Sequence, residues 1–198
     1  MASDYIIHFI DTETTGLDHR RHEIISVGIV EVKETRSGKQ LTHKLLRELE
    51  IKIKPDHPEL ADPIAFRINK YTPDDWTRAL SPQEAYQTLL SILYKPLNED
   101  PKMNSVVVAG HVVHFDILML AAFFARHGFT WSPRHSLDTY SISKKVLGGD
   151  VMLESYALRS LCQYYDITNN NAHTALSDAR ACLSVYQKLM NVEINSDA

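Results

Sequence analysis

The chain predicts an α/β fold, a mixed five-stranded sheet (three antiparallel strands, then parallel ones) flanked by helices. Three observations predict it. Three β-rich runs follow one another near the N-terminus, separated by turn residues. Short apolar strands then alternate with stretches of helical periodicity. No linker, repeat or low-complexity block interrupts the 198 residues, so a single domain is expected over 1–198, its core at about 5–190.

Each element can be justified in order. Tyr5-Ile6-Ile7-His8-Phe9-Ile10 is a nearly continuous apolar run, as in a central strand covered on both faces. Ile24 to Val32 ends in polar–apolar alternation, and Leu45 to Lys54 carries a period-two stretch closed by Pro55. Gly16 and Ser37-Gly38 mark the turns between these strands. From Pro55 to about Asp100 the reading is helical. Thr72-Pro73-Asp74-Asp75 and Ser81-Pro82-Gln83-Glu84 both carry an N-cap followed by proline at the first helical position. Leu89, Ile92 and Leu93 give the second of these helices an apolar face. Val106 to Ala109 is a short buried strand, and Phe115 to Ala125 is apolar almost all round, which predicts a buried helix. Ser136 to Thr139 ends another strand and leads into a helix. Leu153, Ala157, Leu158, Leu161, Cys162 and Tyr165 then recur at helical spacing. The last helix, about Ala175 to Met190, buries Leu176, Ala179, Cys182, Leu183, Tyr186 and Leu189.

Composition narrows the function. Hydrophobic residues make up 44% and charged residues 23%, an ordinary balance, and no apolar run is long enough to span a membrane. The N-terminus lacks a basic segment followed by an apolar one, so secretion is not expected. Cys162 and Cys182 fall among apolar residues and read as inert buried thiols of a reducing compartment, cytoplasmic or nuclear. The formal charge of −4 opposes broad binding to polyanions. It does not oppose gripping a strand end, where bound cations supply local attraction.

Three short blocks carry the chemistry. Asp11 and Glu13 follow the apolar first strand directly; if strand geometry persists, their side chains share a face and can share an ion. The bland reading of such a pair is a solvated strand end. Asp116 stands where an apolar helix begins, so capping is its plain alternative. The strand before it would end beside Asp11, where ligand sites gather in such sheets. Asp178 has Cys182, Val185 and Leu189 at helical offsets, so it borders the buried stripe, where an unpaired carboxylate is costly. His173 lies five residues earlier, about 140° away round a regular helix. It is therefore expected on the preceding loop, with the helix starting near Thr174 or Ala175. Carboxylates gathered this way repel one another unless hard divalent cations sit between them, and two such cations can cut a phosphodiester.

In these blocks the chain resembles the DEDDh branch of the DnaQ-like 3′–5′ exonucleases, the family of the proofreading subunit of bacterial DNA polymerase III. The likeness runs from about residue 5 to 190. The first motif is intact at Asp11-Thr12-Glu13-Thr14-Thr15-Gly16. The second is His111 to Asp116, with Val112 where asparagine is usual, and the third is His173 to Asp178. Leu137-Asp138-Thr139 and the Leu158–Tyr165 stretch are weaker family features. Ile68-Asn69-Lys70-Tyr71-Thr72 departs from the family, since many members carry a histidine–glycine pair there. The resemblance implies an RNase H-like fold and two ions, Mg²⁺ or Mn²⁺, held by Asp11, Glu13, Asp116 and Asp178. It further implies His173 as general base, and a pocket for the terminal nucleotide lined by Thr14, Thr15, Gly16 and Leu17, with His111 beside the substrate.

The expected function is therefore metal-dependent removal of nucleoside 5′-monophosphates from the 3′ end of single-stranded DNA. Trimming of RNA 3′ ends is the alternative, because contacts to a 2′-hydroxyl are not written in a sequence. A non-catalytic nucleic-acid-binding subunit on the same fold would ordinarily have lost motif carboxylates, and all are present here. Association with a polymerase, or a homodimer, is compatible with the chain. Arg20, Arg21, Lys144 and Lys145 could touch phosphates, and Phe66, Tyr71 and Trp76 could stack on bases, although solvation and packing are their ordinary uses.

Overall fold

A nearly continuous apolar run, buried on both faces from Ile7 to Ile10, explains why the first strand lies at the centre of the sheet. In β1 (Ser3–Thr14), Ile7 and Phe9 face one layer of helices and Ile10 faces the other. The computed structural model describes residues 3–97, 100–148, 153, 155–169, 171–191 and 193–194. β1 pairs antiparallel with β2 (Ile24–Ser37), which pairs antiparallel with β3 (Gln40–Lys52). Gly38, at φ +63°, makes the tight turn between those two.

Helix α1 (Pro63–Ile68) follows, capped by Asp62, whose carboxylate accepts the Ile64 N–H at 2.8 Å. α2 (Pro82–Leu93) begins with the expected capping box of Ser81 and Glu84. A small antiparallel hairpin of β4 (Pro96–Leu97) and β5 (Asp100–Asn104) leads to β6 (Val107–Gly110) and α3 (His114–Arg126). Then come β7 (His135–Asp138), α4 (Thr139–Leu147), α5 (Leu158–Tyr164), α6 (Ala175–Met190) and β8 (Glu193–Ile194). The sheet order is β7-β6-β1-β2-β3-β8, with β6 parallel to both β1 and β7. The five expected strands form its body, and the two-residue β8 extends the β3 edge in parallel.

One helix of the sequence reading does not form. From Thr72 the chain folds as turns, with Thr72 Oγ1 and the Asp75 carboxylate bonded to each other. Trp76 is drawn inward, its indole N–H donating to the Ile25 carbonyl at 2.9 Å. Leu80 then joins Ile53 as a parallel bridge, and this extended residue stops any helix from continuing. Tyr71 lies between Phe66 and Trp76, with ring centroids 4.3 Å and 5.0 Å away, so these aromatics pack on one another. Helix α5 is also shorter than its periodicity suggests. Leu153 and Ala157 precede it, and Leu153 still packs beside Leu161 in the core.

α2 and α3 cover one sheet face around Ile10, Val27, Ile29, Leu89, Leu120 and Phe124. α6 covers the other around Phe9, Val30, Ala179, Cys182 and Tyr186. α4 and α5 pack outside α6. Both cysteines are free and buried; burial pushes the Cys162 thiol up to about 11 and Cys182 further in the same direction. Among the described residues no helix is long and apolar enough to cross a membrane.

Candidate active site

Asp11 and Glu13 lie on the α6 face of β1 because strand pairing persists through both, Asp11 opposite Gly28 and Glu13 opposite Ser26. Gly28 is what lets the third carboxylate arrive. A Cβ at that position would lie 2.2 Å from the backbone of Ala175, so the start of α6 rests directly on the sheet. Asp178, in the first turn of α6, thereby meets the pair. Ligand oxygens of Asp11, Glu13 and Asp178 all lie within 4.8 Å of one another, and all three residues are half-buried.

Asp116 reaches the site from the opposite layer. It is buried in the first turn of α3, and Thr12 Oγ1 donates to its Oδ1 at 2.7 Å. Thr12 alternates with Asp11 and Glu13 and so points to the α3 side. Asp116 stands outside the close trio, yet its charge acts on both strand carboxylates. Burial, then repulsion from Asp116, Asp178 and Glu13, raises Asp11 well above the ordinary carboxylate range. Burial, then repulsion from Asp178 and Asp116, pushes Glu13 up to about 7. Burial likewise carries Asp116 to about 7, against the opposing hydrogen bond from Thr12. Such a cluster holds protons or cations near neutral pH rather than bare charge.

Asp178 is held by the loop before α6. Asn169 Nδ2 donates to its Oδ1 at 2.6 Å, and the His173 N–H to its Oδ2 at 3.1 Å. Ser177 Oγ in turn donates to Asn169 Oδ1 at 2.5 Å. His173 is exposed on that loop at φ +68°, and α6 starts at Ala175, where the motif spacing requires.

Two recesses flank the trio. One, of about 220 Å³, is lined by Glu13, Thr14, Gly16 and Leu17, with Ile64 and Ile68 of α1 and Phe115 of α3. Leu17 is 81% exposed there, beside the exposed Ile64 and Ile68. Asn69 fastens α1 to this corner by donating to the Thr14 carbonyl at 2.9 Å. Gly16, at φ +156°, keeps the turn clear of the His22 ring, which a Cβ would approach to 2.5 Å. The other recess, of about 440 Å³, is bordered by Asp178, His173, Asn169, Arg159 and Gln163.

Thr15 and His111 line neither recess. The Thr15 hydroxyl accepts the Glu23 N–H, and the residue is buried in the turn. His111 turns its Nδ1 to Thr139 Oγ1 at 3.0 Å and packs edge-on against Tyr140; burial lowers its pKa. Val112, next to it, takes φ +61°, a left-handed conformation that costs a β-branched residue roughly 1–3 kcal/mol. The Asp138 carboxylate braces that turn, with Oδ1 accepting the N–H groups of Val112 at 2.7 Å and Val113 at 3.4 Å.

Sequence reasoning therefore missed the roles of Thr12, Gly28, Asn69 and Asn169, and gave Asp138 only as part of a weaker family feature. Thr12 could have been found from strand alternation. Gly28 and Asn69 act across the fold, and Asn169 reaches Asp178 from the preceding loop, so no periodic pattern announces them.

A carboxylate trio at the end of the central strand of an RNase H-like sheet defines a class, the phosphodiester-cleaving nucleases. The comparisons narrow it. The RNase T family, described as an exonuclease family, matches residues 8–186. Ribonuclease T of Buchnera aphidicola is 26% identical over 186 residues, covering 92% of this chain and 82% of its own length. The PolC-type DNA polymerase III of Thermotoga maritima is 29% identical over 184 residues, which are 12% of that polymerase. The fold also superposes on a zinc-bound E. coli exonuclease I complexed with single-stranded DNA. There the TM-score is 0.71 at 19% identity, over 93% of this chain and 40% of that one. The chain belongs to the RNase T exonuclease family and is a 3′–5′ exonuclease.

Proposed function

We propose that the chain removes nucleoside 5′-monophosphates from the 3′ end of single-stranded DNA, using two divalent cations, Mg²⁺ or Mn²⁺, and His173 as general base. The observation that carries this reading is the approach of Asp11, Glu13 and Asp178 to within 4.8 Å of one another. Hard oxygen donors at that spacing suit such ions, and a cation relieves the burial and repulsion that hold Glu13 and Asp116 at about 7. Asp11, Glu13 and Asp178 would hold one ion, and Asp11 with Asp116 the other. When bound, the ions neutralise the carboxylates, acidify water and stabilise charge developing on the phosphate.

The chain's own residues orient the reaction. The terminal nucleoside rests in the recess of Leu17, Ile64, Ile68 and Phe115, where exposed apolar side chains can cover a base. That places its phosphate at the Glu13 edge of the trio. His173 receives a proton from the attacking water at a ring nitrogen. Its loop is fixed to Asp178 through the His173 N–H, so base and carboxylate keep one spacing. Arg159, on the other side of Asp178, offers a cation to the nucleic-acid backbone.

DNA is favoured by the likeness to an exonuclease I solved with single-stranded DNA. The relative named Ribonuclease T favours the second reading, trimming of RNA 3′ ends. The PolC-type relative makes work beside a polymerase a further part of this proposal. Matched DNA and RNA oligomers, labelled at the 5′ end, are to be digested with Mg²⁺, with Mn²⁺ and with chelator. Stepwise 3′ shortening, faster on DNA and absent in chelator, is expected. Faster loss of RNA would reassign the substrate, and shortening unaffected by chelator would overturn the metal mechanism.

A further inference from the structure

The Asp138 carboxylate touches no member of the trio, yet it sits where the second motif is most strained. Its Oδ1 accepts the Val112 and Val113 N–H groups, and its Oδ2 accepts both the N–H and the hydroxyl of Ser141 at the start of α4. These donors hold its carboxyl below the usual carboxylate range, against burial. Val112 sits at φ +61° with half its surface exposed, so its own side chain does little to hold the backbone there. The turn passes directly into α3: the Phe115 N–H donates to the Val112 carbonyl, and the Ile117 N–H to that of Val113. Asp116 lies between those two bonds.

We propose that Asp138 is the positioning residue for Asp116, clamping a strained Val112 turn so that α3 delivers its carboxylate to the cluster. Resting on the two-ion reading above, this deepens it: the clamp governs the ion at Asp116 and leaves the ion of the trio alone. Asparagine adopts the left-handed conformation far more readily than valine. The chain therefore leans on Asp138 more heavily than one with asparagine at position 112 would.

The test is Mn²⁺ titration calorimetry together with thermal melts in chelator, on wild type, Asp138→Ala, Ser141→Ala, Val112→Asn and the Asp138→Ala/Val112→Asn pair. Asp138→Ala is expected to weaken the weaker Mn²⁺ site about ten-fold or more, a typical cost of losing a supporting contact, and to leave the tighter one. Adding Val112→Asn should restore most of that affinity. Ser141→Ala loses part of the α4 cap but not the clamp, and should bind both ions as wild type does. In chelator, Asp138→Ala should lower the melting temperature less in the Val112→Asn background than alone. Equal losses of both sites, a wild-type isotherm in Asp138→Ala, or no rescue by Val112→Asn would overturn the proposal. Should wild type bind no Mn²⁺ at all, the metal reading fails; the melts then decide whether 112 and 138 are coupled, and additive losses would sink the clamp too.

Discussion

His173 and Asp178 lie five residues apart, and a continuous helix would turn them to different sides. The chain resolves this by ending the loop at Thr174, so that His173 stays outside α6 with its N–H bonded to the carboxylate it serves. On the proposed mechanism, His173→Ala should lower turnover by about 10²–10⁴-fold. Metal affinity should be retained, because the bond to Asp178 comes from the main chain. Single-turnover rates alongside Mn²⁺ isotherms would check both halves; near-wild-type turnover would remove His173 from the mechanism. Asn169 has the complementary role, since its amide orients Asp178 Oδ1. Asn169→Ala should weaken metal binding by about 10–100-fold, as loss of such a supporting contact typically does. A rise in the Mn²⁺ concentration needed for half-maximal activity would register it.

At the scale of elements, the site is a meeting of three ends: β1 after Ile10, α3 at its first turn, and α6 at its first turn. Gly28 decides how close the third can come. Gly28→Ala would drive a methyl into the backbone of Ala175 and lift α6 from the sheet. A loss of about 1–3 kcal/mol in stability is expected, with weaker metal binding because Asp178 retreats. Chemical denaturation and Mn²⁺ titration together would check it, and unchanged values in both would contradict the close packing. A pair between Arg180 and Glu48, at 2.7 Å and 3.0 Å, ties α6 to β3 from outside. It is exposed enough that its worth is modest.

Across the whole molecule, the cluster ties stability to pH. Glu13 and Asp116 sit at about 7 in the folded chain, above the ordinary carboxylate values expected when it is unfolded. Between about pH 4 and 7 the folded state thus binds more protons than the unfolded one, and stability falls as pH rises through that window. In chelator the melting temperature should drop from pH 5 to pH 8 by several degrees, and Mg²⁺ or Mn²⁺ should raise it more at pH 8. Scanning calorimetry at both pH values would show it; a metal-free protein whose melting temperature rises over this range would contradict it.

Much of this architecture was legible in the chain because each signal was local. Apolar runs marked β1 and β6, Ser81 and Glu84 marked α2, and three acidic blocks marked the site. What stayed hidden depends on distant partners. The Thr72 turn carries a helix signature that Trp76 and Leu80 override by packing on the sheet. His111 and Thr15 sit inside recognisable motifs, yet their side chains face the interior. Gly28 looks like any strand glycine until Ala175 is laid against it.

The proposed mechanism requires that these carboxylates gather in order to hold cations. Calorimetric titration of metal-free protein with Mn²⁺ at pH 8 tests it most directly, with Asp11→Ala alongside. Two ions per wild-type chain and none held tightly by Asp11→Ala are predicted. A wild-type chain that takes up no Mn²⁺, or an Asp11→Ala chain that binds it equally well, would contradict the account.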